Sequence, residues 1–238
     1  AVFQPTRWLV VLLALGAGLA PLELGPRIEG LWAIGSKMVF ALLTGWLLLR
    51  IMRAVRTMIE RAIHIDPNSV DAWAYLYTQV RDRDGEAAAI AAVEELSAAE
   101  PNKKSAAPFV ALQGFYSGAE ETRDRALAFA QQAVDRNPRD PLALVCLSAL
   151  YGQKGDLQKV IEILRPAESL MARDVRLANN YFQALFELKD IDRVTKLLNA
   201  LAGSQNAQVK QFAIERSRMV AQFLQQQQAQ LASAVRRS

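Results

Sequence analysis

Few residues in this chain have the type and spacing that chemistry requires. Its one His, His64, has no Ser or Cys at catalytic spacing around it, so no nucleophile and base can be paired. Its one Cys, Cys146, stands among Leu, Val and Ala and reads as a small packing residue. One Cys and one His supply neither a disulfide framework nor a Cys/His metal site. Asp82 and Asp84 beside Gly85 lack the later ligands and terminal Glu of a calcium loop. Gly114, Gly118, Gly152 and Gly155 are not followed by the Lys-Ser/Thr pair that opens a phosphate-binding helix. Lys37 sits inside an apolar run, where a charge is a functional hypothesis by default. A Lys ~9 Å from the membrane edge also snorkels to headgroups, or meets Glu23 or Glu29. These residues predict no catalytic residue, no metal and no cofactor, which leaves binding as the route to function.

Binding needs a surface, and the elements that would build one are legible from Asn137 to Ala172. Two helices are expected there, Pro141 to Gln153 and Leu157 to Leu170, joined by a Lys154-Gly155-Asp156 turn. Small and large apolar residues recur at helical spacing, and neither helix can bury its stripe alone. Counting from Pro141 as position 1, Leu144, Leu147, Ser148, Tyr151, Val160, Leu164, Ala167 and Ala172 stand at positions 4, 7, 8, 11, 20, 24, 27 and 32. The same count from Val70 places Trp73, Leu76, Ala89, Val93, Leu96 and Pro101. From Val175 it places Tyr181, Leu185, Val194, Leu198 and Leu201.

This register resembles the tetratricopeptide repeat (TPR), a helix-turn-helix of 34 residues that favours Trp, Leu, Gly, Tyr, Ala, Phe, Ala and Pro at those positions. A looser copy of 37 residues lies between Pro101 and Pro138. Its second helix fits through Ala126, Ala130 and Ala133. Its first, Ala106 to Tyr116, settles into no single register, with extra residues expected in Ser117 to Arg123. Ile59, Ala62 and Pro67 read as the end of a preceding half-repeat. The resemblance covers roughly Arg56 to Asn206 and implies an all-α fold, a TPR-type α-solenoid of a half-repeat plus about four repeats over residues 55–206. Residues 207–238 are expected to form a capping and extension helix, with Phe212, Met219, Val220, Phe223, Leu224 and Leu231 as an interrupted apolar stripe.

Residues 1–54 read as a transmembrane helical hairpin. Trp8 to Leu22 and Leu31 to Leu49 are apolar runs, the second broken only by Ser36 and Lys37. Nineteen helical residues reach ~28 Å, close to the ~30 Å hydrocarbon core, whereas the first run reaches ~22 Å. That first run is open to three readings: a short span, a re-entrant piece or an uncleaved signal. A cleavable signal fits poorly, because cleavage after Gly18-Leu19-Ala20 would leave Pro21 first. Trp8, Trp32 and Trp46 serve as interfacial anchors, and Glu23 to Gly30 forms the loop. Arg50, Arg53 and Arg56 follow the second run, so the positive-inside rule places both termini in the cytoplasm of a bacterial inner membrane. With no Gly or Pro from Trp46 to Asp66, the second span is expected to run into the first repeat helix without a linker. Charge agrees with this division. Residues 1–64 hold seven Lys/Arg against three Glu, while 65–238 hold twenty-one of each sign, so the repeats carry no footprint for nucleic acid.

In TPR domains positions 2, 5, 9 and 12 of the first helices face the ligand. The resemblance therefore implies a groove of Leu142, Val145, Ala149 and Gly152 in the central repeat, continued by Arg176, Asn179, Gln183 and Phe186, with Asn180 alongside. Its apolar part suits a soluble protein or peptide helix. Arg176 and Asn179 are similar to part of a carboxylate clamp whose remaining members Leu142, Val145, Cys146 and Ala149 do not supply. The other occupant to weigh is the chain's own C-terminal helix. The expectation is a non-enzymatic scaffold that holds soluble partners by the groove and membrane subunits by the hairpin. Topology alone is similar to the TPR subunit of Pel-type exopolysaccharide synthases, which implies a setting in polysaccharide synthesis or secretion. The alternative is a periplasm-facing chaperone resembling the TPR components of cytochrome c maturation. Those separate their spans by a long cytoplasmic segment that the loop here does not provide.

Overall fold

The computed structural model describes the backbone of residues 26–235 and the side chains of residues 34–230. The run Trp8 to Leu22 and the first three residues of the expected loop, Glu23 to Gly25, lie outside the described residues, as do the side chains of Trp8, Trp32 and Leu231. Helix α1 covers Pro26–Ile65. Pro26 to Gly30 are thus helical and not part of a loop, because Gly30 alone costs only about 1 kcal/mol in a helix. The helix also continues well past Leu49. Its Ile34–Ile65 portion, which holds an 18-residue window of mean hydropathy 1.7, is long and apolar enough to cross a membrane, and none of that window is buried. The chain divides between Val55 and Arg56 into two units.

The second unit is a stack of antiparallel helix pairs. Asp66 and Pro67 stop α1, since proline lacks the N–H and disfavours helical backbone before it. Ser69 then caps α2, Val70–Asp84, its Oγ accepting from the Ala72 N–H at 3.4 Å. Gly85 turns the chain at φ +90° into α3, Glu86–Ala98. The looser copy supplies α4, Ala107–Tyr116, and α5, Arg123–Arg136; its extra residues form a short 3-10 turn at Glu120–Thr122. The central repeat follows as α6, Pro141–Gln153, and α7, Leu157–Leu164. The expected helix to Leu170 is interrupted: Arg165–Ala167 is a 3-10 turn and Glu168–Met171 a separate short helix, α8. Pro166 is the cause, because it has no N–H for the carbonyl of Glu162 and its ring crowds that carbonyl. Then come α9, Val175–Glu187, α10, Ile191–Ala202, and the long α11, Ala207–Val235, which belongs to the same unit.

Each first helix packs on its own second helix and on the first helix of the next pair: α2 on α4, α4 on α6, α6 on α9. The repeat period is visible in the turns. Gly155 and Lys189 both have positive φ, 77° and 59°, and the following Asp N–H returns to the carbonyl of Tyr151 in one turn and Leu185 in the other. Asp156 and Asp190 then cap α7 and α10.

The core follows the repeat register. In the central repeat Leu144, Leu147, Ser148, Val160, Leu164 and Ala167 are all buried; so are Trp73, Leu76, Ala89 and Val93 in the first, and Tyr181, Leu185, Val194, Leu198 and Leu201 in the last. The α1 end is one residue off the expectation. Ile63, one turn after half-buried Ile59, is fully buried, while Ala62 is exposed. Helix α4 buries every side chain from Ala107 to Gln113, which explains why it shows no stripe: a helix covered on all sides needs none.

Candidate partner-binding groove

The N-terminal ends of successive first helices meet at one cleft of about 300 Å³, lined by Val70 of α2, Ala107 and Val110 of α4, Pro141 and Leu142 of α6, and Asp174 and Arg176 beside α9. The helix starts are held locally. Asp140 Oδ1 accepts from the Ala143 N–H at 2.9 Å, and Asp174 Oδ1 from the Arg176 N–H at 2.9 Å. The Asp174 carboxylate also accepts both Nε and Nη2 of Arg176, at 3.1 and 2.7 Å. This pairing holds Asp174 below the usual carboxylate range. It leaves the Arg176 guanidinium engaged with its own cap, where a carboxylate clamp would need it available.

A second cleft of about 310 Å³ opens further along the same helices, between Ala149, Gly152 and Gln153 of α6 and Asn180, Gln183 and Glu187 of α9, with Leu157 and Val160 behind. Asn180 Nδ2 donates to Ser148 Oγ at 2.9 Å and to the Val145 carbonyl at 3.4 Å, tying the two repeats together. The expected groove residues therefore fall into three groups. Leu142 and Arg176 line the first cleft; Ala149, Asn180 and Gln183 line the second, with half-buried Val145 supplying a carbonyl between them. Asn179 and Phe186 meet α11 instead. Asn179 Oδ1 accepts from Arg216 Nη2 at 3.4 Å, and the Phe186 ring lies edge-on to Phe223 at 5.2 Å. Phe212 makes a T-shaped contact with Phe182 at 5.9 Å, and the Arg216 guanidinium lies over both rings. The C-terminal helix thus occupies part of the expected surface, at Asn179 and Phe186, while Leu142 and Ala149 line open clefts.

One polar cluster has no counterpart in the expected site. Tyr116 donates to Glu86 Oε1 at 2.8 Å, so its single hydrogen is spent and the 2.9 Å contact with Tyr77 has Tyr77 as donor. Arg125 donates to the same Glu86 oxygen at 2.6 Å and stacks over the Tyr116 ring at 4.3 Å. Burial raises the Tyr116 phenol far above its ordinary value, and its two hydrogen bonds add to this, so it is fixed as a neutral donor and cannot act as a base. The cluster locks the first repeat to the second. The available sequence signal was Tyr77 at position 8, where the repeat favours Gly. Phe182 is the other aromatic at that position. Tyr77 faces irregular α4 and Phe182 faces α11, whereas small Ser148 faces the regular helix α9.

The other reactive side chains do not converge. His64 is exposed at the end of α1. Burial pushes the Cys146 thiol up, away from reactive thiolate. Among the described residues no group of three or more His, Cys, Asp or Glu is placed to hold a metal. Of the residues expected to anchor the chain, Trp46 carries the Arg50 guanidinium over its ring at 5.3 Å, and Arg56 pairs with Glu60 at 2.8 Å. Arg53 is exposed on the same helix.

No family model matches this chain, and no curated protein matches it. Solved structures similar to it include a crystal structure of MamA, with 18% identity and a TM-score of 0.44 over 67% of this chain and 91% of that one. A thermophilic TPR protein of Thermus thermophilus, TTC0263, is 16% identical with a TM-score of 0.42 over 74% of this chain and 95% of its own. PilF of Pseudomonas aeruginosa is 18% identical with a TM-score of 0.42, covering 71% of this chain and 77% of its own.

Proposed function

We propose that this chain is a non-enzymatic helical-repeat scaffold, anchored in a bacterial inner membrane by its N-terminal segment, that holds a soluble protein or peptide helix on the first-helix face of its repeats. The observation that carries the reading is the pair of clefts running from Leu142 to Gln183 and built by consecutive first helices, the first lined by Val70, Val110 and Leu142 and the second more polar, with Ala149 and Leu157 beside Asn180 and Gln183. Such a face binds by burying a partner's apolar stripe, with rim polar groups setting register. The apolar helix α1 supports the anchor, and the arginines after its apolar run support repeats on the cytoplasmic side. A membrane subunit pairing with the N-terminal segment and a setting in polysaccharide synthesis or secretion complete the reading; the latter rests on topology alone.

The test is capture of partners by the full chain in mild detergent beside a Leu142→Glu/Ala149→Glu variant whose helicity matches wild type. Loss of soluble partners with retention of integral ones is the expected result. Identical partners in both samples would remove the groove from the proposal. Protease added to spheroplasts should leave the repeats intact, and cleavage there would reverse the orientation.

A further inference from the structure

Helix α1 carries an ordered series of chemistries along one of its faces. At 100° per residue, Val39, Leu42, Leu43, Trp46, Arg50 and Arg53 share a sector of about 100°. Leu42 is 71% exposed and Trp46 43%. The order along the axis is therefore aliphatic, then indole, then guanidinium, over a rise of ~21 Å from Val39 to Arg53. Arg50 lies over the Trp46 ring at 5.3 Å, within cation–π distance. Among the described residues no carboxylate pairs with Arg50. Charge favours an anion strongly, because the stretch from Gly30 to Ile59 contains Lys37, Arg50, Arg53 and Arg56 and not one Asp or Glu. Arg56 differs from Arg50 in that Glu60, one turn on, already accepts from its Nε.

We propose that Trp46 and Arg50 form a binding site for an anionic phospholipid, the phosphate on the Arg50 N–H groups, the glycerol at the indole and an acyl chain along Leu42 and Val39. The site rests on the membrane-anchor reading above. It fits a lipid better than a free anion because the aliphatic part of the face is continuous with the cationic part and would stay exposed if only phosphate bound.

The test incorporates the full chain into phosphatidylcholine nanodiscs with and without phosphatidylglycerol, and counts retained lipid by native mass spectrometry after gentle detergent release. Wild type should retain phosphatidylglycerol in preference to phosphatidylcholine. Retention should fall about five-fold for Arg50→Gln, with the variant still entering phosphatidylcholine discs. Arg56→Gln should retain the lipid like wild type. Wild type that enters the discs but retains the two lipids in their bulk ratio overturns the lipid site and leaves the anchor standing. An equal loss in Arg56→Gln overturns it too, since general cationic attraction would then explain the retention. A chain that enters neither disc removes the anchor, and the site with it.

Discussion

Removing one hydroxyl from the junction of the first two repeats tests the direction of its hydrogen bonds. Tyr116→Phe deletes the donor to Glu86 and the acceptor for Tyr77 together; Tyr77→Phe deletes only the second. A neutral buried hydrogen bond contributes about 1 kcal/mol, so Tyr77→Phe should cost about that. A bond to a carboxylate contributes about 1.5–3 kcal/mol where buried, but Glu86 is about half exposed at 48% and keeps Arg125, so only about 1 kcal/mol is assigned to it. Tyr116→Phe should then cost about 2 kcal/mol, and the double variant also about 2, well short of the sum of about 3. For a unit of this size each kcal/mol lowers Tm by about 2–4 °C. Thermal unfolding of the full chain in mild detergent, followed by helical circular dichroism, reads these shifts. If Tyr77→Phe costs as much as Tyr116→Phe, or the double variant equals the sum, the relay from Tyr77 through Tyr116 to Glu86 is wrong. The pH dependence has a definite sign. Tyr116 and Arg125 depress the Glu86 carboxyl, so its contribution is fully present at neutral pH and fades only as pH falls below the ordinary 4.5 and through the depressed value.

The equivalent turns give a paired expectation: Lys189→Gly should stabilise and Gly155→Ala destabilise, each by about 1 kcal/mol, because only glycine adopts positive φ without steric cost. Opposite Tm shifts in the same unfolding assay would bear this out, and shifts of one sign would not. Leu164→Ala, at a fully buried position of the central repeat, should cost about 2–5 kcal/mol and broaden unfolding by uncoupling the repeats on either side. A loss under about 1 kcal/mol would mean the site collapses around the cavity. Cys146 should react with a maleimide more slowly than glutathione at neutral pH and speed up as pH rises, since burial holds its thiol protonated; equal rates would contradict that burial.

Local pattern was enough for much of the fold. The spacing from Leu144 to Ala167 identified buried positions because a stripe at 3.6-residue period can face only one neighbour. Gly155 and Pro141 marked a turn and a helix start because their backbone limits act within a residue or two. Pro166 was equally readable as a break, yet the apolar period ran on across it, and here the local rule outweighs the pattern. The cap pairing of Asp174 with Arg176 is also local, and it withdraws that arginine from the clamp its position suggested.

Partnership at longer range was decided by tertiary structure. Tyr116 and Glu86 stand 30 residues apart, and Arg125 and Glu86 stand 39 apart, so no periodicity links them. They meet because α4 packs against α2, α3 and α5, which carry Tyr77, Glu86 and Arg125 to Tyr116. The sequence names Asn179, Phe186 and Leu142 alike as groove positions. Packing separates them: Arg216 and Phe223 of α11 reach the first two, and Leu142 remains on an open cleft. Repeat register determines which way a side chain points. Whether a partner or the chain's own next helix meets it depends on how the following element packs.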